Sequence, residues 1–311
     1  MNEALFRIVG RSRLPRALGL LYVPPVASTD SLTRRFLLWF FEHPPFSPYV
    51  TVSCSLDISA ARAYLLSLKE RGTPVTIQTL LAASIGRTYA ELPAANASVI
   101  GNKIVRFEDV GVVAPIDLSN HPGGLETGLI VLERANERTL LELGAQAKKT
   151  VDGERRGDRD NPFFRLVIPI AEKVPNRVLV LALDGFDRVA RTELAAKWLR
   201  KLVPATVGLS NPGATLRLPA GGLMRGASMS MPDKIVSLGS LFGVGPIQDE
   251  VIAVEGAPAV RPMLPLIFVF DHRLFDGVYA GRVLTKLLEV LRDPSKVFGE
   301  TGTASGVRVK S

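Results

Sequence analysis

The chain has one cysteine, Cys54, and three histidines. A single thiol excludes an intrachain disulfide framework and any cysteine-rich zinc module, and it fits a reducing cytosol. No apolar run approaches the roughly 18–20 residues of a membrane helix; the nearest are Phe36–Phe41, Val178–Leu183 and Met263–Phe270. The first residues scatter Arg7, Arg11, Arg13 and Arg16 among apolar positions, without the ordered charged, apolar and small-residue regions of a secretory signal. Also missing are a GxxxxGKS/T phosphate loop, an HExxH pair and a CxxC pair, which removes the usual signatures of NTPases, zincins and thioredoxin-type sites. Gly243 and Gly245 form a lone GxG, read as a turn.

What is present describes an ordinary globular chain. Of 311 residues, 47% are hydrophobic and 22% charged, a mix that excludes wholesale disorder, collagen-like repeats and coiled coil. Basic residues outnumber acidic ones by 38 to 30, for a net charge of +8. That excess favours polyanionic partners: a phosphorylated cofactor, nucleic acid or an anionic membrane surface.

Residues 1–48 form an Arg- and Pro-rich arm whose block Arg34–Phe41 reads as a helix, packed on the main domain or laid on a membrane surface. An α/β pattern follows over 49–297, read as one domain. Thr51–Asp57 reads as a strand and Ile58–Arg71 as a helix. Within Pro74–Leu92, the residues Ile77, Leu81, Ile85, Tyr89 and Leu92 share a helical face. Ser98–Phe107 predicts two short strands about Gly101-Asn102, and Val110–Ile116 a buried strand. A helix from Arg138 is expected to end before Gly153, in a charged loop over Asp152–Asp160. Two apolar segments, Phe164–Ile170 and Val178–Leu183, precede an amphipathic helix over Thr192–Leu202. The strand ending at Phe270 runs into Asp271, and a helix after Gly277 is stopped by Pro294. Residues 298–311 lack periodicity and read as a mobile tail.

His43 and His121 each precede proline, in turn chemistry where a solvated imidazole is expected. His272 is different. It stands in Asp271-His272-Arg273-Leu274-Phe275-Asp276-Gly277, between the end of an apolar strand and the mouth of a helix, with charged neighbours. Imidazole titrates near ~6.5 when unperturbed, which suits it to proton abstraction near neutral pH.

Asp-His-Arg-x-x-Asp-Gly before a helix resembles the signature of the catalytic domain of the dihydrolipoamide acyltransferases of 2-oxoacid dehydrogenase complexes, relatives of chloramphenicol acetyltransferase. The resemblance extends to Leu241-Phe-Gly-Val-Gly-Pro-Ile, Ile252-Ala-Val-Glu-Gly and Arg261-Pro-Met-Leu. Upstream it takes in Val75-Thr-Ile-Gln-Thr-Leu-Leu, Leu92-Pro-Ala-Ala-Asn96-Ala, Val110-Gly-Val-Val-Ala-Pro-Ile and Ser210-Asn211-Pro212-Gly213. It implies an α/β fold, a two-layer sandwich with a mixed sheet covered by helices, assembled as a trimer with a channel at each subunit interface. It makes His272 the general base toward a thiol of coenzyme A or of a dihydrolipoyl group, and Ser210 the hydroxyl donor to the oxyanion. Asp276 would orient the site. Asp271 and Arg273 would be structural ions, Gly277 would give the helix a close approach, and Asn211 and Asn96 would shape the turns around the site.

The chain departs from that pattern in three ways. Nothing before residue 50 resembles a lipoyl or subunit-binding domain, so no covalent lipoate is expected on this chain and a lipoyl-bearing protein would act in trans. The family's Gly-Leu-Ile-x-Pro-Val stretch survives only as Gly124-Leu-Glu-Thr-Gly-Leu-Ile-Val. Residues 157–205 form an enlarged insert. The expectation is a cytoplasmic, acyl-CoA-using acyltransferase, a homotrimer or an assembly of trimers, with no metal. Coenzyme A accounts for the positive charge better than nucleic acid does. The alternative is a non-catalytic trimeric scaffold of a multienzyme assembly. Cys54 reads as a strand-borne core residue.

Overall fold

The computed structural model describes residues 48–309 apart from 101–102, 120–126, 158–161, 220–221, 225–226 and 233. The arm before residue 48 and His121 lie outside the described residues.

One mixed sheet organises the chain. Its strands are β1 (Tyr49–Asp57), β4 (Val112–Asp117), β5 (Thr127–Leu132), β6 (Val207–Ser210), β7 (Ser240–Val244), β8 (Gln248–Val254) and β9 (Ala257–Asp271), in the order β1-β9-β7-β6-β4-β5 with β8 paired on β9. The short β6 runs parallel to both neighbours, β4 and β7, and the remaining pairs are antiparallel. The expected hairpin forms a separate ribbon, β2 (Ala97–Ile100) with β3 (Lys103–Arg106).

β9 shows why the pattern was readable. Its first residues pair with β8, where one side meets water; from Met263 onward every residue is buried, between β1 and β7. A strand covered on both faces carries a continuous apolar run instead of alternation. Leu264, Leu266, Phe268 and Phe270 point into the main core, beneath α1 (Ser59–Glu70), α2 (Ile77–Glu91) and, further along the chain, the helix Gly277–Arg292; Ile267 and Val269 point into a second core containing Val203, Leu238 and Leu241. Stacked rings bind the first core: Phe242 on Phe268 at 4.5 Å between centroids, and Phe270 on Phe275 at 4.9 Å.

α3 (Leu140–Arg156) starts on a capping box in which Thr139 accepts from the Glu142 amide while the Glu142 carboxylate accepts from the Thr139 amide. It corrects the expected boundary, because it runs through Gly153 and stops at Gly157, where φ is 82°. An interior glycine costs a helix only about 1 kcal/mol, whereas Gly157 supplies the left-handed residue that closes the last turn. Arg155 and Arg156 favour the same end by facing the negative pole of the helix. The apolar segments of the insert are the middles of two helices, α4 (Pro162–Lys173) and α5 (Asn176–Ala190); α6 (Glu193–Leu202) follows. After the sheet come α7 (Gly277–Arg292) and α8 (Pro294–Phe298). Pro294 therefore opens a short helix as well as ending the longer one.

Over its described length the tail is tied to the domain by hydrogen bonds. The Gly306 amide donates to Glu137 O at 2.8 Å and the Val309 amide to Glu108 O at 3.2 Å, and the Val309 side chain is buried. Arg87, buried under α8, donates to the carbonyls of Ala135, Asn136 and Arg138 and, from Nη2, to Ala304 O at 3.1 Å. Asn136, fully buried, accepts from the Val110 amide and donates to Glu108 O and Val307 O. Polar side chains hold this strap by its backbone, a device with no hydrophobic period to betray it.

Candidate active site

His272 directly follows β9. Its amide donates to Pro48 O at 2.9 Å, and its ring lies 6.1 Å from that of Phe270 with an interplanar angle of 27°. The imidazole is exposed. Beneath it, Asp271 is 1% exposed and holds Arg273 in a bidentate pair, Nη2 to Oδ2 at 2.7 Å and Nε to Oδ1 at 2.9 Å. The same Oδ1 accepts from the Arg273 amide, which tightens the turn that carries His272. Charge-assisted fork contacts of this kind fix geometry as well as adding energy.

Asp276 caps α7: its Oδ1 accepts from the Tyr279 amide at 2.9 Å. The carboxylate thus anchors the helix start, four residues after the imidazole. Gly277 does not give α7 a close approach within the chain, since a Cβ there would meet nothing within 4 Å. Close approach is instead required at Gly213, where a Cβ would run into the Gly245 carbonyl. Gly243 is a strand residue of β7 rather than part of a GxG turn.

Ser210 ends β6, half-buried, opposite Gly243. Asn211 caps the 3-10 turn Pro212–Ala214 by accepting from the Ala214 amide at 3.1 Å. Asn96, fully buried, donates from Nδ2 to Phe107 O at 2.7 Å and Asp109 O at 3.0 Å, closing the loop around the β2–β3 ribbon.

The sheet register sets where Ser210 and His272 stand relative to each other. Ser210 is level with Gly243, and Gly243 with Ile267; His272 follows Ile267 by five residues on a strand two places away. At ~3.3 Å per residue and ~4.8 Å per strand, the two are ~19 Å apart. One chain does not bring them together.

Sequence patterning did not single out Arg87, nor Arg200 on α6. Arg200 donates to Ala205 O and Ser237 O and lies 4.0 Å over the Phe107 ring. Burial lowers both guanidinium groups to about 10. The Tyr89 hydroxyl meets Ser240 Oγ inside the core, and burial pushes its pKa up. In each case the signal was a polar residue inside an otherwise apolar or helical segment. Among the described residues no cluster of three His, Cys, Asp or Glu side chains is disposed to hold a metal ion, and no helix is long and apolar enough to cross a membrane.

A mixed sheet under helices carries both the His272 turn and the Ser210 strand end. The model of the family described as 2-oxoacid dehydrogenases acyltransferase (catalytic domain) matches residues 227–299, a stretch that includes His272 and Asp276.

Among similar proteins, the dihydrolipoyllysine-residue succinyltransferase component of the 2-oxoglutarate dehydrogenase complex of Bartonella vinsonii subsp. berkhoffii is 24% identical over 233 residues, 74% of this chain and 43% of its own length. The acetyltransferase component of the pyruvate dehydrogenase complex of Mycoplasma capricolum subsp. capricolum is 26% identical over 160 residues, 46% of this chain and 34% of its own. The chain thus spans less than half the length of either relative. The cubic core of the pyruvate dehydrogenase multienzyme complex shares the fold with a TM-score of 0.59 at 20% identity, covering 88% of this chain and 99% of that one. A truncated catalytic core of the 2-oxoacid dehydrogenase complex from Thermoplasma acidophilum gives 0.58 at 18% identity, covering 87% and 99%.

Proposed function

We propose that the chain is an acyltransferase that moves an acyl group between a coenzyme A thioester and a thiol, alcohol or amine acceptor, at a site completed between copies of itself. The observation that carries this reading is the ~19 Å separation of Ser210 and His272, which leaves each half-site at its own end of the sheet. Two copies arranged so that one His272 meets the neighbour's Ser210 would form a whole site, and a closed trimer repeats that contact at each interface.

In such a site His272 accepts the proton of the attacking thiol or hydroxyl, which is otherwise a weak nucleophile at neutral pH. The sulfur or oxygen attacks the thioester carbonyl, and Ser210 donates a hydrogen bond to the oxyanion that forms. Collapse expels the thiolate of coenzyme A, and the protonated His272 returns the proton to it. Asp276 acts as a positioning residue by fixing the helix start behind the base. The acyl acceptor in this reading includes a dihydrolipoyl group on another protein. Cytoplasmic localisation is part of the proposal and is tested by cell fractionation.

The deciding experiment incubates the protein with a panel of acyl-CoAs, with and without dihydrolipoamide, and follows free thiol. Transfer by the wild type and its loss in His272→Ala is the expected result. Activity that survives the substitution removes His272 from the mechanism, and no activity with any acyl group shifts the assignment to the scaffold.

A further inference from the structure

The helices of the insert carry exposed apolar side chains. On α6, Leu194 is 83% exposed and Trp198 56%; on α5, Val178 is 53% exposed, Leu181 55% and Val189 57%. The inward faces of these helices are already committed, with Leu179 and Leu183 packed against Ile168 and Ala171, and Leu199 buried. The exposed residues therefore form second, outward stripes, spaced i, i+3 on α5 and i, i+4 on α6, which the fold itself does not need. Arg200 ties α6 to the Ser237 carbonyl, and Asp187 ties α5 to the Ile235 amide.

Its charge is of one dominant sign. Lys173, Arg177, Arg188 and Lys201 are exposed beside the stripes, against the exposed Glu172. Asp187 is turned inward to Arg191 and the Ile235 amide, and Asp184 lies 3.7 Å from Lys234. A large apolar side chain and a tryptophan among lysines and arginines on an amphipathic helix is the composition of an interfacial, membrane-surface element. A second copy fits this face poorly, since like charges around the stripe would oppose each other.

We propose that α5 and α6 form a docking surface for an anionic lipid bilayer, into which Leu194 and Trp198 insert while Arg177 and Lys201 meet the lipid phosphates. The chain has two tryptophans, so Trp39→Phe leaves Trp198 as the reporter. Titrating that full-length variant with vesicles of phosphatidylcholine containing about 30% phosphatidylglycerol should shift Trp198 emission to the blue and expose it to quenching by brominated lipid, with little change for phosphatidylcholine alone. Arg177→Gln and Lys201→Gln should each lower vesicle partitioning roughly fivefold, and Leu181→Glu/Leu194→Glu should abolish it while far-UV circular dichroism is unchanged. An unaltered Trp198 spectrum overturns the proposal. So does partitioning that persists in the double variant, which would assign lipid contact to the N-terminal arm. A double variant that changes sedimentation state, with no vesicle binding by wild type, would assign the face to contacts between copies.

Discussion

Ser210 and His272 stand at opposite ends of the same sheet, the one level with Ile267 and the other five residues beyond it. A site needing both is divided between molecules, and that division is testable without knowing the acyl group. His272→Ala and Ser210→Ala should each keep no more than about 1% of wild-type activity alone. Unfolded and refolded together, they form interfaces in which an intact His272 meets an intact Ser210, and roughly a quarter of wild-type activity should return. No recovery, in mixtures shown by mass to contain both chains in one assembly, would place the site within one chain.

The two losses should differ in size and kind. Removing a positioned base costs ~10²–10⁴ in rate, and removing one oxyanion donor ~10²–10³, falling on kcat. A Ser210→Ala effect confined to KM would assign that hydroxyl to ground-state binding.

Phe268 touches Phe242, Phe270 and Phe275 at the centre of the main core. Phe268→Ala should cost about 3–5 kcal/mol, read as a shift in the urea midpoint without a change in slope.

Arg87→Met should free the strap. Four carbonyls lose their donor, and hydrogen exchange at residues 304–309 should accelerate while exchange in β9 stays slow. Arg87→Lys should not restore protection, because a single ammonium cannot span the carbonyls of Ala135, Asn136, Arg138 and Ala304. Equal exchange in wild type and both variants would show that Arg87 does not hold the strap.

The same strap should loosen in acid. The Arg134 side chain, by hydrogen bonding, together with Arg308, holds the Glu137 carboxyl below the usual glutamate range, and Arg308 Nε lies 2.8 Å from Glu137 Oε1. A lowered folded-state pKa gives stability that is complete above the ordinary value of about 4.3 and disappears as pH falls through the lower one. Proteolysis near residue 308 should therefore speed up below about pH 4, and Glu137→Gln should remove that pH dependence.

Elements with one buried face or two were legible in the sequence. Met263–Phe270 announced a strand covered on both sides, and Ala280, Val283, Leu287 and Leu291 announced α7 through their common face. The turn at His272 was legible because charged residues stood between two such elements. Its distance from Ser210 was not, since that follows from strand order and register, which one strand does not encode. The helix end was expected before Gly153, whereas it is the backbone of Gly157 that takes positive φ. The strap was hidden because its partners are buried polar side chains from distant segments, and hydrogen bonds to backbone leave no periodic trace.

That strap also orders events in time. Arg87 and Asn136 leave the ribosome long before Ala304, Val307 and Val309, and until then some of their donors have no partner but water. Closure of this region waits on contacts between segments far apart in the chain, which form slowly. A chain cut before residue 304 would leave those buried donors without the Ala304 and Val307 carbonyls and the Val309 pocket unfilled.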